Sequence, residues 1–132
     1  MNLNMTYRKE DNMKVGDYVR FDYHRVTVPI QIANVIESHY DNEDDSICYS
    51  TDVGLVIDES NLVKEPSPNI MDLIEVGDYV NGIKVQDVIG CLLAFDGGQD
   101  GEWYIETEED IKSIGTHEQF ESMQYNLESE VN

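Results

Sequence analysis

The pentapeptide Val-Gly-Asp-Tyr-Val occurs twice in this chain of 132 residues, at positions 15–19 and again at 76–80. Short apolar runs separated by Gly, Asp and Asn follow each copy. Self-similarity of this kind indicates a repeated supersecondary unit and limits the folds that the whole chain can adopt. Because the spacing of the apolar runs differs between the two halves, we predict a degenerate duplication rather than a regular solenoid.

The apolar runs alternate with polar residues as half-buried strands do. After the first copy, Val19 and Phe21 share one parity, and the run from Val26 to Ile32 repeats the pattern. We therefore expect two strands joined by a turn near residues 22–25. Pro29 indicates an edge or a bulge in the second strand, because proline has no amide hydrogen to donate to a ladder.

A Gly-Asp pair opening a strand is a feature of many small SH3-like barrels, and here the pair occurs in both copies. The predicted fold class is mostly β (α+β), with two degenerate SH3-like small β-barrel units, each followed by a short helix. The predicted domains are a flexible N-terminal arm over residues 1–12, a first β unit with a short helix over 13–73, and a second β unit with a C-terminal helix over 74–132.

Three local signals place turns and helix starts. Ser67 followed by Pro68 predicts a capped short helix between the units. Asn81-Gly82 predicts a two-residue hairpin turn, because both residues tolerate positive φ. Thr116 with Gln119 three residues later predicts a capping box for the last helix. Apolar residues continue that helix at helical spacing: Phe120, Met123 and Leu127.

The two cysteines, Cys48 and Cys91, do not form a disulfide framework or a CxxC motif. They fall in roughly equivalent places of the two units, and we expect free, buried thiols in strands. The apolar runs are too short for a signal peptide or a membrane span. The predicted localisation is therefore the cytoplasm.

The charge is large and uneven. The chain has 28 Asp and Glu against 8 Lys and Arg, a net charge of −20. Residues 1–25 sum to +1 and residues 26–132 to −21. This balance argues against direct binding to nucleic acid, whose phosphates need cations, and against anionic membranes. It favours a cationic protein surface as partner, although acidity that only maintains solubility explains the charge as well.

Catalysis and metal binding have little support. The histidines, His24, His39 and His117, are dispersed, and no motif supplies a nucleophile with its base. We expect no enzymatic activity and no cofactor. Asp41, Glu43, Asp45 and Asp52 match four positions of a calcium loop, but Ser46 stands where the sharp turn requires Gly. A hydrated acidic loop is the preferred interpretation.

Two acidic segments form the predicted partner-binding surface. In the first, Trp103 and Ile105 would take one face of a strand and Glu102, Glu106, Glu108 and Asp110 the other. Alternate residues on a strand lie about 6.6–6.8 Å apart, which is similar to successive phosphates on a stretched nucleic-acid backbone. The second is the predicted loop of Asp41, Glu43, Asp44 and Asp45. An ordinary amphipathic strand with a hydrated face explains the first pattern equally well.

Four stretches carry a resemblance to known proteins: Met13–Arg20, Ser67–Gly82, Asp110–Ile114 and His117–Met123. They resemble a family of small phage and prophage proteins from low-GC Gram-positive bacteria. The resemblance covers about half of the chain and transfers no functional residues. It implies a phage origin. Small acidic phage proteins include inhibitors of bacterial defence, among them anti-CRISPR proteins that mimic DNA.

Together these observations predict an acidic inhibitor that binds the basic nucleic-acid-binding surface of a bacterial defence nuclease, acting as a DNA mimic in the infected host. The favoured partner is a CRISPR effector nuclease. The alternative is a phage regulatory or virion-assembly adaptor that docks on other proteins through its β units. The sequence leaves the oligomeric state open.

Overall fold

The structure is a computed structural model that describes residues 13–97, 99 and 101–122. The described chain is mostly β, in curled antiparallel sheets, which confirms the predicted class at that level. The first sheet has the order β1-β2-β3-β4. Its strands are β1 (Tyr18–Phe21), β2 (Gln31–Asp41), β3 (Ser46–Thr51) and β4 (Val56–Ile57).

The second sheet has the order β8-β7-β6-β5-β9. Its strands are β5 (Tyr79–Val80), β6 (Ile83–Ile89), β7 (Leu92–Asp96), β8 (Glu102–Ile105) and β9 (Ile114–Gly115). Three 3-10 helices, Glu59–Asn61, Ile70–Leu73 and Glu108–Asp110, and an α-helical segment at 117–122 complete the described elements. The predicted arm over 1–12 and helix positions 123 and 127 lie outside the described residues.

The two Val-Gly-Asp-Tyr-Val copies form the same turn. The Lys14 amide donates to the Asp17 carboxylate at 3.0 Å, and the Asp17 amide donates to the Lys14 carbonyl at 2.9 Å. In the second copy the Glu75 amide donates to the Asp78 carboxylate at 2.7 Å, and the Asp78 amide returns to the Glu75 carbonyl at 3.0 Å. The glycine of each copy has φ near the left-handed region, +100° and +96°, which explains why the motif requires glycine.

The strand that follows each copy is held in the same register. Val35 donates its amide to the carbonyl of the first copy's aspartate at 2.8 Å, and Val85 makes the corresponding bond in the second copy, also at 2.8 Å. The register then shifts between Val35 and Glu37 and, in the second sheet, between Val85 and Asp87. Such a bulge bends its strand, so both sheets curl at corresponding positions.

Each sheet also receives a returning segment after a 3-10 helix. In the first, Tyr18 exchanges backbone hydrogen bonds with Ser67, at 2.7 and 3.1 Å. In the second, β9 pairs with β5, with Tyr79 opposite Gly115. The first strand of each sheet in chain order, β1 or β5, therefore has a pairing partner on both edges. At the opposite end of each sheet the outermost strand is β4 or β8.

The predicted strand over residues 26–32 is wrong in its first half. Val28 donates its amide to the Arg25 carbonyl at 3.0 Å, so residues 25–28 form a turn, and Val26 is fully exposed. Pro29 lies before β2, outside any strand. The alternation of β-branched residues misled the prediction because the backbone there closes a local turn instead of a ladder.

Two of the predicted local signals are confirmed. Asn81 and Gly82 join β5 to β6 with φ of +55° and +84°, the left-handed values that this hairpin requires. Thr116 and Gln119 form the capping box: the Thr116 amide donates to the Gln119 side chain at 2.9 Å, and the Gln119 amide donates to Thr116 Oγ1 at 3.1 Å.

The predicted helix after Ser67-Pro68 is a 3-10 helix, Ile70–Leu73, and its N-cap is Asn69. Asn69 Oδ1 accepts the Met71 amide at 3.0 Å. Ser67 instead closes the turn before it, because its Oγ accepts the Asn69 amide at 3.0 Å. Met71 and Leu73 are buried, so this short helix fills the core between the two sheets.

The buried apolar residues form two clusters. The first cluster belongs to the first sheet: Met13, Val19, Phe21, Ala33, Val35, Tyr49 and Ile57. The second combines residues of the second sheet with the connecting 3-10 helix: Met71, Leu73, Ile74, Val80, Val85, Leu93, Phe95 and Ile105. Ile32 of β2 also joins this second cluster, so the two halves share buried surface.

Both cysteines are free thiols, as predicted. Cys48 lies in β3 and is half-buried. Cys91 is exposed in the turn between β6 and β7, so its predicted burial in a strand is wrong. Gly90 precedes it with φ of +61°, a conformation that belongs to a tight turn and not to a strand.

Candidate functional site

The segment 102–110 carries the predicted acidic row, but only its first part is a strand. Ile105 is buried and Trp103 packs on the core, stacked on Phe95 with ring centroids 4.5 Å apart, which confirms their assignment to the core face. Glu102 and Glu106 are exposed. The strand β8 ends at Ile105, so the row does not continue along one strand face as predicted.

The rest of the predicted row forms a short acidic turn. Glu108, Glu109 and Asp110 make one turn of 3-10 helix, and all three are exposed. The Asp110 amide donates to the Thr107 carbonyl at 3.2 Å, which closes the turn. Three residues per turn spread the carboxylates around an axis, so Glu108 and Asp110 do not have the spacing of a strand. We call residues 108–110 the acidic turn.

The second predicted segment, Asp41 to Asp45, forms the end of the β2–β3 hairpin, as expected: Asp41 is the last residue of β2, and residues 42–45 are the loop. Asp41 Oδ1 accepts the Glu43 amide at 2.9 Å, and Asp45 has φ of +53°. The Tyr40 hydroxyl donates to Asp45 Oδ1 at 2.7 Å. Asp44 and the other carboxylates of the loop are exposed.

The structure does not bring together the four residues of the calcium-loop pattern. Asp52 lies at the opposite end of β3 from Asp41 and Asp45. The strand between them has 6 residues, which at about 3.3 Å per residue separates the ends by roughly 20 Å. Asp52 Oδ1 accepts the Asn34 amide at 2.9 Å, which explains its position without an ion.

The two acidic segments belong to different sheets, and each one contains or adjoins an exposed tyrosine. Tyr40 is 54% exposed and Tyr104 45% exposed. The Tyr104 hydroxyl donates to Glu102 Oε1 at 2.8 Å. This hydrogen bond and the Glu102 charge raise the pKa of Tyr104 above its ordinary value, because the neutral phenol is the form that donates.

A buried ion cluster that sequence reasoning missed lies at the junction of the two halves. Arg20 of β1 is 1% exposed, and its guanidinium donates to both carboxylate oxygens of Asp78, at 2.6 and 3.0 Å. It also donates to Glu118 at 2.8 Å and to the Leu73 carbonyl at 3.1 Å. Glu75 lies 3.6 Å away.

These contacts decide the ionisation of Arg20. Burial acts to lower the pKa of Arg20, but the hydrogen bond and charge of Asp78, with the charges of Glu75 and Glu118, outweigh it and raise the pKa above its ordinary value. Arg20 is therefore a permanent cation at this junction. No local sequence pattern predicts the pair, because Arg20 and Asp78 are 58 residues apart. The available signal was an arginine placed directly after the first copy of the repeat.

His117 borders the same cluster. Its Nε2 lies 3.4 Å from Glu118 and 3.6 Å from Glu75, and its amide donates to Asp78 at 2.9 Å. Asp78, His117 and Glu118 could together offer three ligand atoms to a metal ion. The Arg20 guanidinium already binds both carboxylates, so a cation there would meet a fixed positive charge. The arrangement is that of a structural junction.

The contacts of His39 do not form a catalytic relay. Its Nε2 lies 2.9 Å from Ser50 Oγ and 3.7 Å from Glu37 Oε1. In a nucleophilic site the base uses one ring nitrogen for the nucleophile and the other for the orienting carboxylate. Here one nitrogen faces both groups, and all of them are on the solvent-exposed part of the β2–β3 hairpin. His24 is also exposed.

An open cleft of about 350 Å³ lies on the first sheet. Its lining mixes polar and apolar side chains: Met13, Lys14, Val15, Ser38, Tyr40, Ile47 and Tyr49. No charged residue from the two acidic segments lines it. The cleft adjoins the Asp41–Asp45 loop through Tyr40, whose hydroxyl donates to Asp45.

Among the residues that the structure describes, no helix has the length and apolar character needed to cross a bilayer. The chain matches no protein-family model, no curated protein and no solved structure.

Proposed function

We propose that this chain is an acidic binding protein that inhibits a bacterial defence nuclease by occupying its basic nucleic-acid-binding surface, as a DNA mimic. One observation carries the proposal: the chain has a net charge of −20, and among the residues that the structure describes most carboxylates are exposed and occur in both halves. A cationic surface is the partner that this distribution favours, since clefts and patches of one sign attract the opposite sign.

Two of the cations are already engaged by carboxylates. Arg20 is buried and bound by Asp78 and Glu118. Lys64 lies 3.8 Å from Glu75. The acidic turn and the Asp41–Asp45 loop contain no lysine or arginine. These segments therefore supply the negative potential that would attract a partner's Lys and Arg side chains.

Mimicry in this proposal depends on charge density and not on a regular row. Glu102 is the first residue of β8 and Glu106 follows its last, whereas the acidic turn places its three carboxylates around a 3-10 axis. A nuclease channel that holds a flexible backbone accepts such a distribution, because phosphate contacts are electrostatic and independent of sequence.

The proposal includes a finer fold assignment: each half is a degenerate SH3-like barrel unit. The strand order, the repeated bulge and a segment that returns to the first strand after a 3-10 helix support it. A small barrel of this kind presents its hairpin loops at the surface, and the Asp41–Asp45 loop is one of them.

The phage origin and the choice of a CRISPR effector nuclease as target depend on the resemblance of the repeat region to small phage proteins. A binding role in the cytoplasm of an infected host agrees with that resemblance. No catalytic step is part of the proposal.

The test is affinity capture from a bacterial host lysate with the tagged chain, followed by competition with duplex DNA. We expect a captured protein with a basic surface that duplex DNA displaces. Capture should fail at about 1 M salt, where the Debye length falls to about 3 Å from about 10 Å at 0.1 M. A partner that stays bound at high salt and is not displaced by duplex DNA would contradict the proposal.

A matched pair of variants locates the surface. One variant changes Glu102, Glu106, Glu108 and Asp110 to Lys, and the other changes Asp41, Glu43, Asp44 and Asp45 to Lys, so that both alter the net charge equally. We expect the first to abolish capture and inhibition. The second gives a partial loss if the binding surface is broad and none if it is confined to the second sheet.

The cleft on the first sheet favours a second candidate, an adaptor that docks through apolar contacts. Val15, Tyr40 and Ile47 contribute apolar surface to it. Such an adaptor would keep its partner at high salt and would lose it when Ile47 is changed to Asp. The two candidates therefore differ in salt dependence and in the face whose substitution removes binding.

A further inference from the structure

The side chain of Asn81 holds three backbone groups of the segment that follows the acidic turn. Its Oδ1 accepts the Lys112 amide at 2.6 Å and the Ser113 amide at 3.1 Å. Its Nδ2 donates to the Asp110 carbonyl at 2.9 Å. The Asn81 amide adds a bond to the Ser113 carbonyl at 3.0 Å.

The hairpin alone does not require these contacts. At φ of +55° the first position of the β5–β6 turn accepts Asn, Asp or Gly, and a Gly-Gly pair would serve the backbone as well. The asparagine side chain therefore has a second role. It connects the β5–β6 hairpin to residues about thirty positions further along the chain.

The position of Asn81 matters because the other backbone hydrogen bonds of the acidic turn are local. Its described closure consists of local bonds, from the Asp110 amide to Thr107 and from the Ile111 amide to Glu108, at 3.2 and 3.1 Å. None of its residues is buried. The strand β8 fixes the entry to the turn. At its exit, Ile111 packs against the second core cluster, and the Asn81 side chain holds the backbone on both sides of Ile111.

We propose that Asn81 is a positioning residue for the acidic turn: it holds Glu108, Glu109 and Asp110 in one arrangement for a cationic partner without touching that partner. This inference rests on the proposed function. Its physical basis is preorganisation, since a turn that is already ordered loses less conformational freedom when it binds.

The test compares Asn81→Gly with the wild type, using an octa-arginine peptide as the probe and calorimetry as the measurement. The variant keeps the net charge and the hairpin but loses all three side-chain bonds. We expect an affinity weaker by about fivefold, because the turn must then be ordered on binding. We also expect a shallower dependence of affinity on salt, and faster hydrogen exchange at the amides of Lys112 and Ser113. A merely structural loss would not change the salt dependence.

Asn81→Asp gives a second result whose sign separates positioning from charge. The aspartate keeps an acceptor for the Lys112 and Ser113 amides, loses the donor to Asp110, and adds a negative charge. If charge alone governs binding, octa-arginine binds the Asn81→Asp variant more tightly than it binds the wild type. If positioning matters, the affinity does not rise.

Gly82→Asn is the control variant. It changes the turn but retains Asn81, and should bind octa-arginine like the wild type.

The outcomes are distinguishable. An Asn81→Gly variant that exchanges its amides faster yet binds with wild-type affinity and salt dependence overturns the inference and leaves the proposed function standing. If the wild type itself does not bind octa-arginine, the result contradicts both the proposed function and this inference. If Asn81→Gly does not fold, a tighter-binding Asn81→Asp variant is sufficient to reject the positioning role.

Discussion

Arg20 and Asp78 form a two-point ion pair in the interior, with both Asp78 oxygens bound by the guanidinium and side-chain exposures of 1% and 0%. Asp78 also accepts the amides of Glu75 and His117. One carboxylate thus ties β1 of the first sheet to the repeat turn of the second and to the start of the last helix. This cluster is one polar connection between the two halves, and the bond from Thr116 Oγ1 to the Ile30 carbonyl is another.

We predict that Arg20→Met destabilises the protein by about 3–5 kcal/mol, because it leaves the buried Asp78 charge without its partner. The measurement is urea unfolding followed by Trp103 fluorescence. Lys64→Met is the control, since Lys64 and Glu75 form a partly exposed pair at 3.8 Å, and pairs of this kind contribute at most about 1 kcal/mol. A loss below about 1 kcal/mol for Arg20→Met would show that the pair does not hold the junction.

The sequence predicted best where the signal is local. The Asn81-Gly82 turn and the Thr116–Gln119 capping box depend on conformational preferences that neighbouring residues determine alone. The Arg20–Asp78 pair could not be predicted in this way, because its geometry exists only after β1 has packed against the distant turn that contains Asp78. The acidic row failed for a related reason: alternation predicts a face only as long as the strand continues, and β8 ends at Ile105.

Gly97 is predicted to tolerate no side chain. It bonds through its amide to the Gly101 carbonyl at 2.8 Å, and an added Cβ would overlap that oxygen and lie 2.8 Å from Trp103 Cδ1. We expect Gly97→Ala to cost about 1–3 kcal/mol, as overpacking does. Gly115→Ala is the matched control: its Cβ would meet no atom within 4 Å, and the change should stay within about 0.5 kcal/mol. Equal thermal stabilities of the two variants would refute this reasoning.

Tyr104 is predicted to ionise above its ordinary pKa of about 10, because its hydroxyl donates to Glu102 and the carboxylate charge disfavours the phenolate. The folded state thus favours the neutral phenol, so its contribution to stability is present below about pH 10 and is lost as pH rises through the folded-state pKa. The phenolate absorbance of the wild type minus that of Tyr104→Phe isolates this group. Glu102→Ala should return its titration towards the ordinary value, and an unchanged midpoint would count against the hydrogen bond.

The last prediction concerns a like-charge pair. Asp96 and Glu102 lie directly opposite each other in the β7–β8 ladder, and both are exposed. Like charges at opposed positions destabilise a sheet, typically by about 0.2–1 kcal/mol. We therefore expect Glu102→Gln, which keeps an acceptor for Tyr104, to raise the free energy of unfolding by that amount at low salt.

The gain should shrink as salt screens the pair in the wild type, and it should disappear in an Asp96→Asn background, where the opposed charge is already absent. Glu106→Gln serves as the control because Glu106 lies beyond the end of β8. A gain from Glu102→Gln that persists at high salt or in the Asp96→Asn background would exclude cross-strand repulsion as its cause. Confirmed repulsion would mean that a cationic partner relieves an existing cost when it binds this edge, which favours the proposed partner chemistry.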